Sequence, residues 1–471
     1  MNKTKIVATV GPMSSTKEMV KKMILAGTDV FRINLSHSSY KDAEKVCAHI
    51  RAVNRELNTN TGILIDTKGP EVRTGTINGE VFIEKDDTVT LTSKECFGEF
   101  GNIQISYKDL YKDVNIGDRV LIHDGLIELK VINIIDEDIK CITVRGGQLK
   151  SHKGINIPDS QLSIDFLYKE HKEDIEFASR INADFVAISF VRNANDVLDV
   201  NDMLISLKNE HLQIIAKIES RSAIEDIDNI IKVSDGIMVA RGDLGIEISL
   251  ESIPSVQKKL IKQSYLKGKV CIVATEMLTS MESTSRPTRA EVSDVANAVI
   301  DGADAVMLSG ESAVGHYPIE AIETMNRIID STENNMDYDE ILIKHTSHEN
   351  KDVTTVISHS VVDAANMLNA KAIIATTISG YTARKISSHR PCCPIIATTP
   401  RKETATSLSL HWGVLPVVVK KYTTTDEIMK NAIDIVNEKF VLEKGDKIII
   451  TGGFPMKQNR YTNFLKIEEI E

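Results

Sequence analysis

No stretch of this sequence offers the ~18–20 consecutive apolar residues that a membrane-spanning helix needs. Basic residues are outnumbered: 56 Lys and Arg against 67 Asp and Glu leave a formal net charge of −11. That balance argues against nucleic acid and against an anionic membrane surface as partners. It leaves room for a local basic pocket that takes an anionic metabolite. Disulfides are not expected. The six cysteines (47, 96, 141, 271, 392 and 393) are scattered and form no C-x-x-C pair, so they read as reduced thiols of a cytoplasmic protein. A bond between the adjacent Cys392 and Cys393 would strain the peptide joining them. Also missing are a G-x-x-x-x-G-K-[ST] phosphate loop, a protein-kinase G-x-G-x-x-G, an internal repeat and any low-complexity tract. The N-terminal MNKTKIVATVGP has too short an apolar stretch for a signal peptide; a first strand is expected there.

What is present is ordinary in composition and large in extent. Over 471 residues, 42% are apolar and 26% charged, which excludes a disordered chain, a collagen or a coiled coil. A chain this long buries enough surface to need no structural metal. Residues 1–70 read as strand–helix–strand–helix–strand, with strands at 5–10, 29–33 and 62–66. Ser15 and Glu18 have capping-box spacing and open a helix with Met19, Val20, Met23 and Ile24 on one face. Gly27 sits where a C-terminal cap belongs. Between 71 and 162 the pattern changes to short Val-, Ile- and Thr-rich runs. Asn78-Gly79, Asp124-Gly125 and Gly146-Gly147 mark turns between them, and together they predict an all-β insert.

From 163 to 345 the alternation resumes, with strands at 185–189, 213–218, 236–240, 270–274 and 305–308. A helix at 289–300 places Val292, Val295, Ala296 and Val299 on one face, and Gly302 stops it. Three strands before the insert and five after it make eight β/α units. The expected fold is therefore a (β/α)₈ TIM barrel over 1–70 and 163–345. An all-β domain inserted at 71–162 follows its third strand. Residues 346–471 read as a doubly wound α/β domain with strands at 372–376, 394–398, 415–419 and 447–451.

Barrel chemistry collects just beyond the C-terminal strand ends. There the sequence places Arg32, Asn34, Ser36 and His37 after the second strand, and Asp66, Thr67, Glu71 and Arg73 after the third. Lys217 and Glu219 follow at the fifth strand, Arg241, Gly242 and Asp243 at the sixth, and Thr275 and Glu276 at the seventh. One ionisable residue at a strand end is usually a cap or a surface charge. Both signs on nearly every strand at one rim suggest a hard cation with oxygen ligands beside an anionic substrate. Lys217 and Glu219, two apart on a strand, share a face. A Mg²⁺ between Glu219 and Asp243 would remove their mutual repulsion.

At these residues the chain resembles the pyruvate kinase family over its full length. RINLSHS, IDTKGPEVRTG, IAKIES, VARGDLG, ATEMLTSM, RPTRAEVSDVANAV and MLSGESAVGHYP occur in the family's order and spacing. The resemblance implies phosphoryl transfer from phosphoenolpyruvate to ADP, giving pyruvate and ATP, the last step of glycolysis. It implies that Lys217 stabilises the transferring phosphoryl group and the enolate, that Arg32 contacts the phosphoryl group, and that Thr275 helps position the proton donor. It assigns Mg²⁺ (or Mn²⁺) to Glu219 and Asp243, and K⁺ to Asn34, Ser36, Asp66 and Thr67. Glu71 is the residue type that accompanies K⁺ dependence. Substrate carboxylate would bind backbone N–H groups around Arg241, Gly242 and Asp243, and nucleotide phosphates would meet His37, Arg73 and Lys153. Thr376, Thr377, Ser379, Gly380 and Thr382 resemble the family's effector phosphate loop, so a phosphorylated metabolite effector is expected. The partner loop at 453–463 lacks the glycine-rich form common in sugar-bisphosphate-activated members, and Glu276 stands where many members have Gln. The resemblance further implies that the 71–162 insert is a β-barrel-like lid that closes over the site, and that the protein is a cytoplasmic homotetramer, without the extra C-terminal domain of some bacterial members.

Two other readings compete. A barrel lyase or aldolase would share the metal and the enolate, but would need neither a K⁺ cluster nor nucleotide-facing Arg73 and Lys153. A metabolite-sensing pseudokinase would show loss of Lys217, Glu219, Asp243 or Thr275, and all four residue types are present.

Overall fold

The structure is a computed structural model that describes residues 2–96, 101–346, 352–420, 425–440, 442–453 and 461–470. Eight parallel strands close into a barrel: β1 (Lys5–Thr9), β2 (Val30–Asn34), β3 (Gly62–Asp66), β4 (Phe185–Ile188), β5 (Gln213–Ile218), β6 (Gly236–Ala240), β7 (Val270–Ala274) and β8 (Ala305–Leu308). Both faces of each strand are buried, which is why they read as apolar runs rather than alternating ones. One face fills the barrel, with Val7, Leu64, Phe185, Ile215 and Met238 inside. The other packs under the helices through Ile6, Phe31, Ile65, Val186 and Val239.

The helix ends refine the sequence reading. The first helix, Lys17–Ala26, is capped by Thr16, whose side chain accepts from Met19 N; the Ser15/Glu18 box does not form. Gly27 closes that helix at φ 117°, donating to Met23 O and Ile24 O, a conformation that costs glycine no Cβ clash. In Arg289–Ile300 the buried set is Val295, Ala298 and Val299. Val292 is exposed, because the helix is rotated slightly from the face its valines suggested.

Residues 71–162 leave the barrel after β3 and build their own core around Val89, Leu91, Val120, Leu129 and Ile139. Their main sheet has seven strands in the order 72–73, 154–156, 119–122, 127–135, 138–145, 88–92 and 102–104. A single bridge between Thr74 and Ile105 links its two edges, so the sheet curls toward a barrel. A two-stranded ribbon and a four-residue helix, Leu110–Asp113, complete the domain, which is therefore not wholly β.

The C-terminal domain is a five-stranded sheet in the order Val414–Val418, Ile395–Thr399, Ala372–Thr376, Lys447–Gly452 and Phe464–Glu469. The last strand is antiparallel, and the sequence reading did not anticipate it. Its Leu410 joins the barrel's interior cluster. Arg390 fastens the join, donating to Asp304 Oδ1 at 2.9 Å and to Gly302 O at 2.8 Å, immediately before β8. The C-terminal domain thus plugs the N-terminal mouth and leaves the opposite rim open to the lid.

Candidate active site

Asp66 ends β3 and is the hub of the rim. Its register partner on β2 is Asn34, and Arg32, two residues earlier, reaches it from the same strand. Arg32 Nε and Nη2 each lie 2.6 Å from Asp66 Oδ2, and Nη1 donates to Thr9 Oγ1 at 3.1 Å. Lys217 Nζ, from β5, lies 3.3 Å from Asp66 Oδ1. Burial alone would raise the Asp66 pKa, but Lys217 and Arg32 outweigh it and hold the carboxyl below its usual range. Burial opposes the charge on Lys217, yet Asp66, Glu219 and Asp243 prevail and raise its pKa further. The lysine is a fixed cation, not a general base.

Glu219 lies just past β5. Its Oε2 accepts from the Phe190 N–H at 2.7 Å, and its Oε1 is 2.8 Å from Lys217 Nζ. That second contact is an ion pair whose angle makes no hydrogen bond, so buried Oε1 has no directed donor. Burial pushes Glu219 upward against the pull of Lys217, and Asp243 adds to the rise. The β4 corner that serves Glu219 was not identified from sequence. Ser189 accepts from Lys217 at 2.8 Å and donates to Thr67 O at 2.8 Å. Phe190 sits at φ 56°. Only the fold brings Ser189 and Phe190 to the rim; nothing in their local sequence marks them.

After β6 the chain turns into the short helix Arg241–Glu247. The Gly242 N–H donates to Thr275 Oγ1 at 2.9 Å. Thr275 follows β7 at φ 65° and Glu276 at φ 54°, strain of the kind that tertiary contacts must hold. The Arg241 side chain turns away from the rim to Asp294 Oδ2 at 2.6 Å, and it also grips Thr275 O. Any contact of Arg241 with substrate is therefore left to its main chain.

The lid-side residues gather around the same rim. Thr67 Oγ1 lies 3.0 Å from His171 Nε2, and His171 Nδ1 lies 2.8 Å from Phe166 O. Because a carbonyl only accepts, Nδ1 carries the proton, and the Thr67 hydroxyl donates to Nε2 when the ring is neutral. Burial holds the ring neutral by lowering its pKa. Asn34 Oδ1 accepts from the Ser36 N–H at 2.9 Å. Glu71 pairs with the Arg73 guanidinium. Ser36, His37, Lys68, Glu71 and Arg73 line a cleft of about 440 Å³. A second cleft, about 560 Å³ between lid and barrel, is lined by Arg73, Lys153, Phe190 and Asp243. Lys217 and Arg32 are not in its wall, so this larger space meets the charge cluster only at Asp243.

The donors fit a hard divalent cation. Glu219 Oε1 is buried without a hydrogen bond, and half-buried Asp243 raises its pKa by repulsion. Among the described residues no three His, Cys, Asp or Glu cluster as ligands. That leaves two protein carboxylates, the number typical of a Mg²⁺ whose other ligands are water and substrate. Asn34, Ser36, Asp66 and Thr67 are all oxygen donors, as a monovalent cation requires, although both Asp66 oxygens already face cations.

In the C-terminal domain, Thr376 Oγ1 donates to Thr451 O, Thr377 Oγ1 accepts from the Gly380 N–H, and Thr382 Oγ1 bonds Thr462 Oγ1. Of the loop's hydroxyls, that of Ser379 is on an exposed residue. Positions 454–460 of the expected partner loop lie outside the described residues.

Fold and site define a (β/α)₈-barrel enzyme whose rim sets a permanent cation against paired carboxylates under a lid. Family models described as "Pyruvate kinase, barrel domain" and "Pyruvate kinase, alpha/beta domain" match residues 1–322 and 355–468. Pyruvate kinase of Clostridium acetobutylicum is 42% identical over 473 residues, covering all of both chains. That of Staphylococcus epidermidis is 44% identical over 470 residues, covering 99% of this chain and 80% of its own. The crystal structure of a pyruvate kinase from Cryptosporidium parvum matches with a TM-score of 0.95 at 36% identity, covering 100% of this chain and 96% of that one. The chain belongs to the pyruvate kinase family and is a phosphotransferase of that type.

Proposed function

We propose that this enzyme transfers the phosphoryl group of phosphoenolpyruvate to ADP, giving pyruvate and ATP in the last step of glycolysis. The observation that carries the reading is Lys217, a buried ammonium kept charged between Asp66 and Glu219 at the catalytic rim. Such a fixed charge suits the negative charge that grows on a transferring phosphoryl group and on an enolate oxygen. Arg32, anchored by Asp66, contacts the phosphoryl group. Main-chain N–H groups around Arg241, Gly242 and Asp243 take the substrate carboxylate. Thr275, bonded to the Gly242 N–H, orients the proton donor that converts enolpyruvate to pyruvate.

Glu219 and Asp243 would hold Mg²⁺ or Mn²⁺, which when bound supplies charge neutralisation and Lewis acidity. Asn34, Ser36, Asp66 and Thr67 would hold K⁺. His37, Arg73 and Lys153 line the two clefts under the lid and would receive the ADP phosphates, with the lid excluding water as it closes.

A phosphorylated metabolite effector would bind at Thr376, Thr377, Ser379, Gly380 and Thr382. In support, this loop lies at the switch point of the C-terminal sheet, where strand order reverses about Ala372–Thr376. Ser379→Ala with Thr382→Ala should remove any effector response at unchanged saturated turnover. A homotetramer is supported by exposed Ile343, Val353, Val356 and Met367 on two adjoining helices. A cytoplasmic location is supported by six free cysteines. Among the described residues no helix is long and apolar enough to cross a membrane.

The test is pyruvate and ATP formation from phosphoenolpyruvate and ADP with Mg²⁺, with and without K⁺. Turnover that requires K⁺ supports the whole rim assignment. Turnover in both conditions keeps the reaction and removes the monovalent site as essential. No turnover in either, with folded protein and candidate effectors present, overturns the reading in favour of a lyase or a sensor.

A further inference from the structure

Three oxygens surround the Lys217 ammonium: Ser189 Oγ at 2.8 Å, Glu219 Oε1 at 2.8 Å and Asp66 Oδ1 at 3.3 Å. The two carboxylates hold it as ion pairs. Among the described residues, Ser189 is the neutral acceptor of a hydrogen bond from Nζ. Charge attraction fixes a distance, whereas a hydrogen bond also fixes a direction.

Ser189 is 3% exposed, and its surroundings leave its hydroxyl one arrangement. The single proton has two acceptors within reach, Thr67 O at 2.8 Å and Asp66 Oδ1 at 3.3 Å. The nearer carbonyl takes it, so an oxygen lone pair faces Lys217. The result is a polarised chain from Lys217 through Ser189 to the main chain of Thr67. Its seat is rigid. A Cβ on Gly69 would come within 3.0 Å of Ser189 Cβ and 2.0 Å of Phe190 Cδ2, so loop and corner are in full contact. The next residue, Phe190, gives its N–H to Glu219. One corner after β4 therefore orients both the lysine and the carboxylate beside it.

We propose that Ser189 is a positioning residue for Lys217, aiming the ammonium and tying it to the loop that carries Asp66 and Thr67. This rests on the role given to Lys217 above. The neutrality of Ser189 is the point. Were Glu219 to serve as a ligand of a divalent cation, its hold on Lys217 would weaken. Ser189 and Asp66 would then keep the ammonium in place, with its charge open to an incoming anionic group. A third carboxylate at position 189 would compete with that anion; a hydroxyl does not.

The experiment compares the full-length enzyme with Ser189→Ala and Ser189→Cys. The alanine variant loses only a hydroxyl, and the cysteine keeps the volume with a weak acceptor. Ser189→Ala should lower kcat about tenfold or more while KM for phosphoenolpyruvate stays within about threefold, the signature of lost orientation rather than lost binding. Ser189→Cys should fall between the two. Mn²⁺ affinity, read by electron paramagnetic resonance, should stay within about twofold. Mass-spectrometric labelling of Lys217 by an amine reagent should quicken in Ser189→Ala, with or without turnover. Wild-type activity with an unchanged kcat in Ser189→Ala overturns the proposal alone. A parallel loss of Mn²⁺ affinity overturns it by moving Ser189 to the metal site. An inactive wild type sinks the functional reading, and unchanged Lys217 labelling would then overturn the positioning role independently.

Discussion

Arg241 and Thr275 brace each other across β6 and β7. Thr275 lies at φ 65°, a region that β-branched residues rarely enter. The Arg241 guanidinium grips its carbonyl, through Nη2 at 2.5 Å and Nε at 3.2 Å. The far end of the same guanidinium is anchored on Asp294. Strained backbone is thus held by a planar fork that spans two strands, and the Thr275 hydroxyl is left facing Gly242.

Lysine cannot reproduce that fork. Arg241→Lys should lower turnover by about 10²-fold through misplacement of Thr275 and Gly242, with little change in metal affinity. Steady-state kinetics beside Mn²⁺ titration measure both. A loss of metal affinity equal to the loss of turnover would show that Arg241 serves the metal site instead.

Lys217→Ala should lower kcat by about 10³-fold or more while leaving substrate and metal binding largely intact. It also leaves buried Glu219 without its cation, while Asp66 keeps Arg32, a change on the order of 3 kcal/mol in folding stability. Asp66 is the group to watch. Its lowered pKa means that its stabilisation is present above its ordinary value of 3.8 and is lost as pH falls through the folded value. Removing Lys217 should weaken this dependence, as urea denaturation at pH 3 to 7 would show.

Gly69→Ala tests the loop–corner contact. The new Cβ would meet the Phe190 ring at 2.0 Å, and the Phe190 N–H holds Glu219. Overpacking of this kind costs about 1–3 kcal/mol. The expected outcome is a lower melting temperature together with a raised Mg²⁺ requirement. A melting shift with an unchanged Mg²⁺ requirement would separate Phe190 from the metal ligand.

Glu71→Lys should relieve any dependence on K⁺, because an ammonium would stand in for the ion. Glu71 pairs with Arg73 in this structure, so the substitution also frees the Arg73 guanidinium beside a new positive charge. KM for ADP should therefore change along with the K⁺ response. Equal wild-type rates in K⁺ and in a large inert cation would refute the premise.

His411, at the junction of barrel and C-terminal domain, is buried, and its pKa lies well below 6.5. Burial is the main cause, and the neighbouring charges of Arg384, Arg390 and Lys5 add to it. The unfolded chain takes up a proton that the folded one refuses. Stability is therefore retained above about pH 6.5 and falls as pH drops below it. His411→Leu should flatten this slope in denaturation curves at pH 5, 6 and 7. An unchanged slope would place the acid sensitivity elsewhere.

The sequence by itself determined the eight strand units of the barrel, the place of the insert and the residue types at the rim. These depend on local pattern: apolar runs at 62–66 and 270–274, turn pairs in the insert, and Gly27 and Gly302 at helix ends. Arg32, Asp66, Lys217, Glu219, Asp243 and Thr275 were legible because barrel topology sends every strand end to one rim. Tertiary structure decided what no local pattern carries. Ser189 reads as the last residue of a strand and Phe190 as the residue after it, until β4 is set beside β3 and β5. His171 is a helix residue like any other until its ring meets Thr67. Arg241, a substrate candidate by position, turns its side chain to Asp294. The physical reason is the same in each case. These hydrogen bonds join residues from 28 to 122 positions apart, so they form only once the fold has brought their strands and helices side by side.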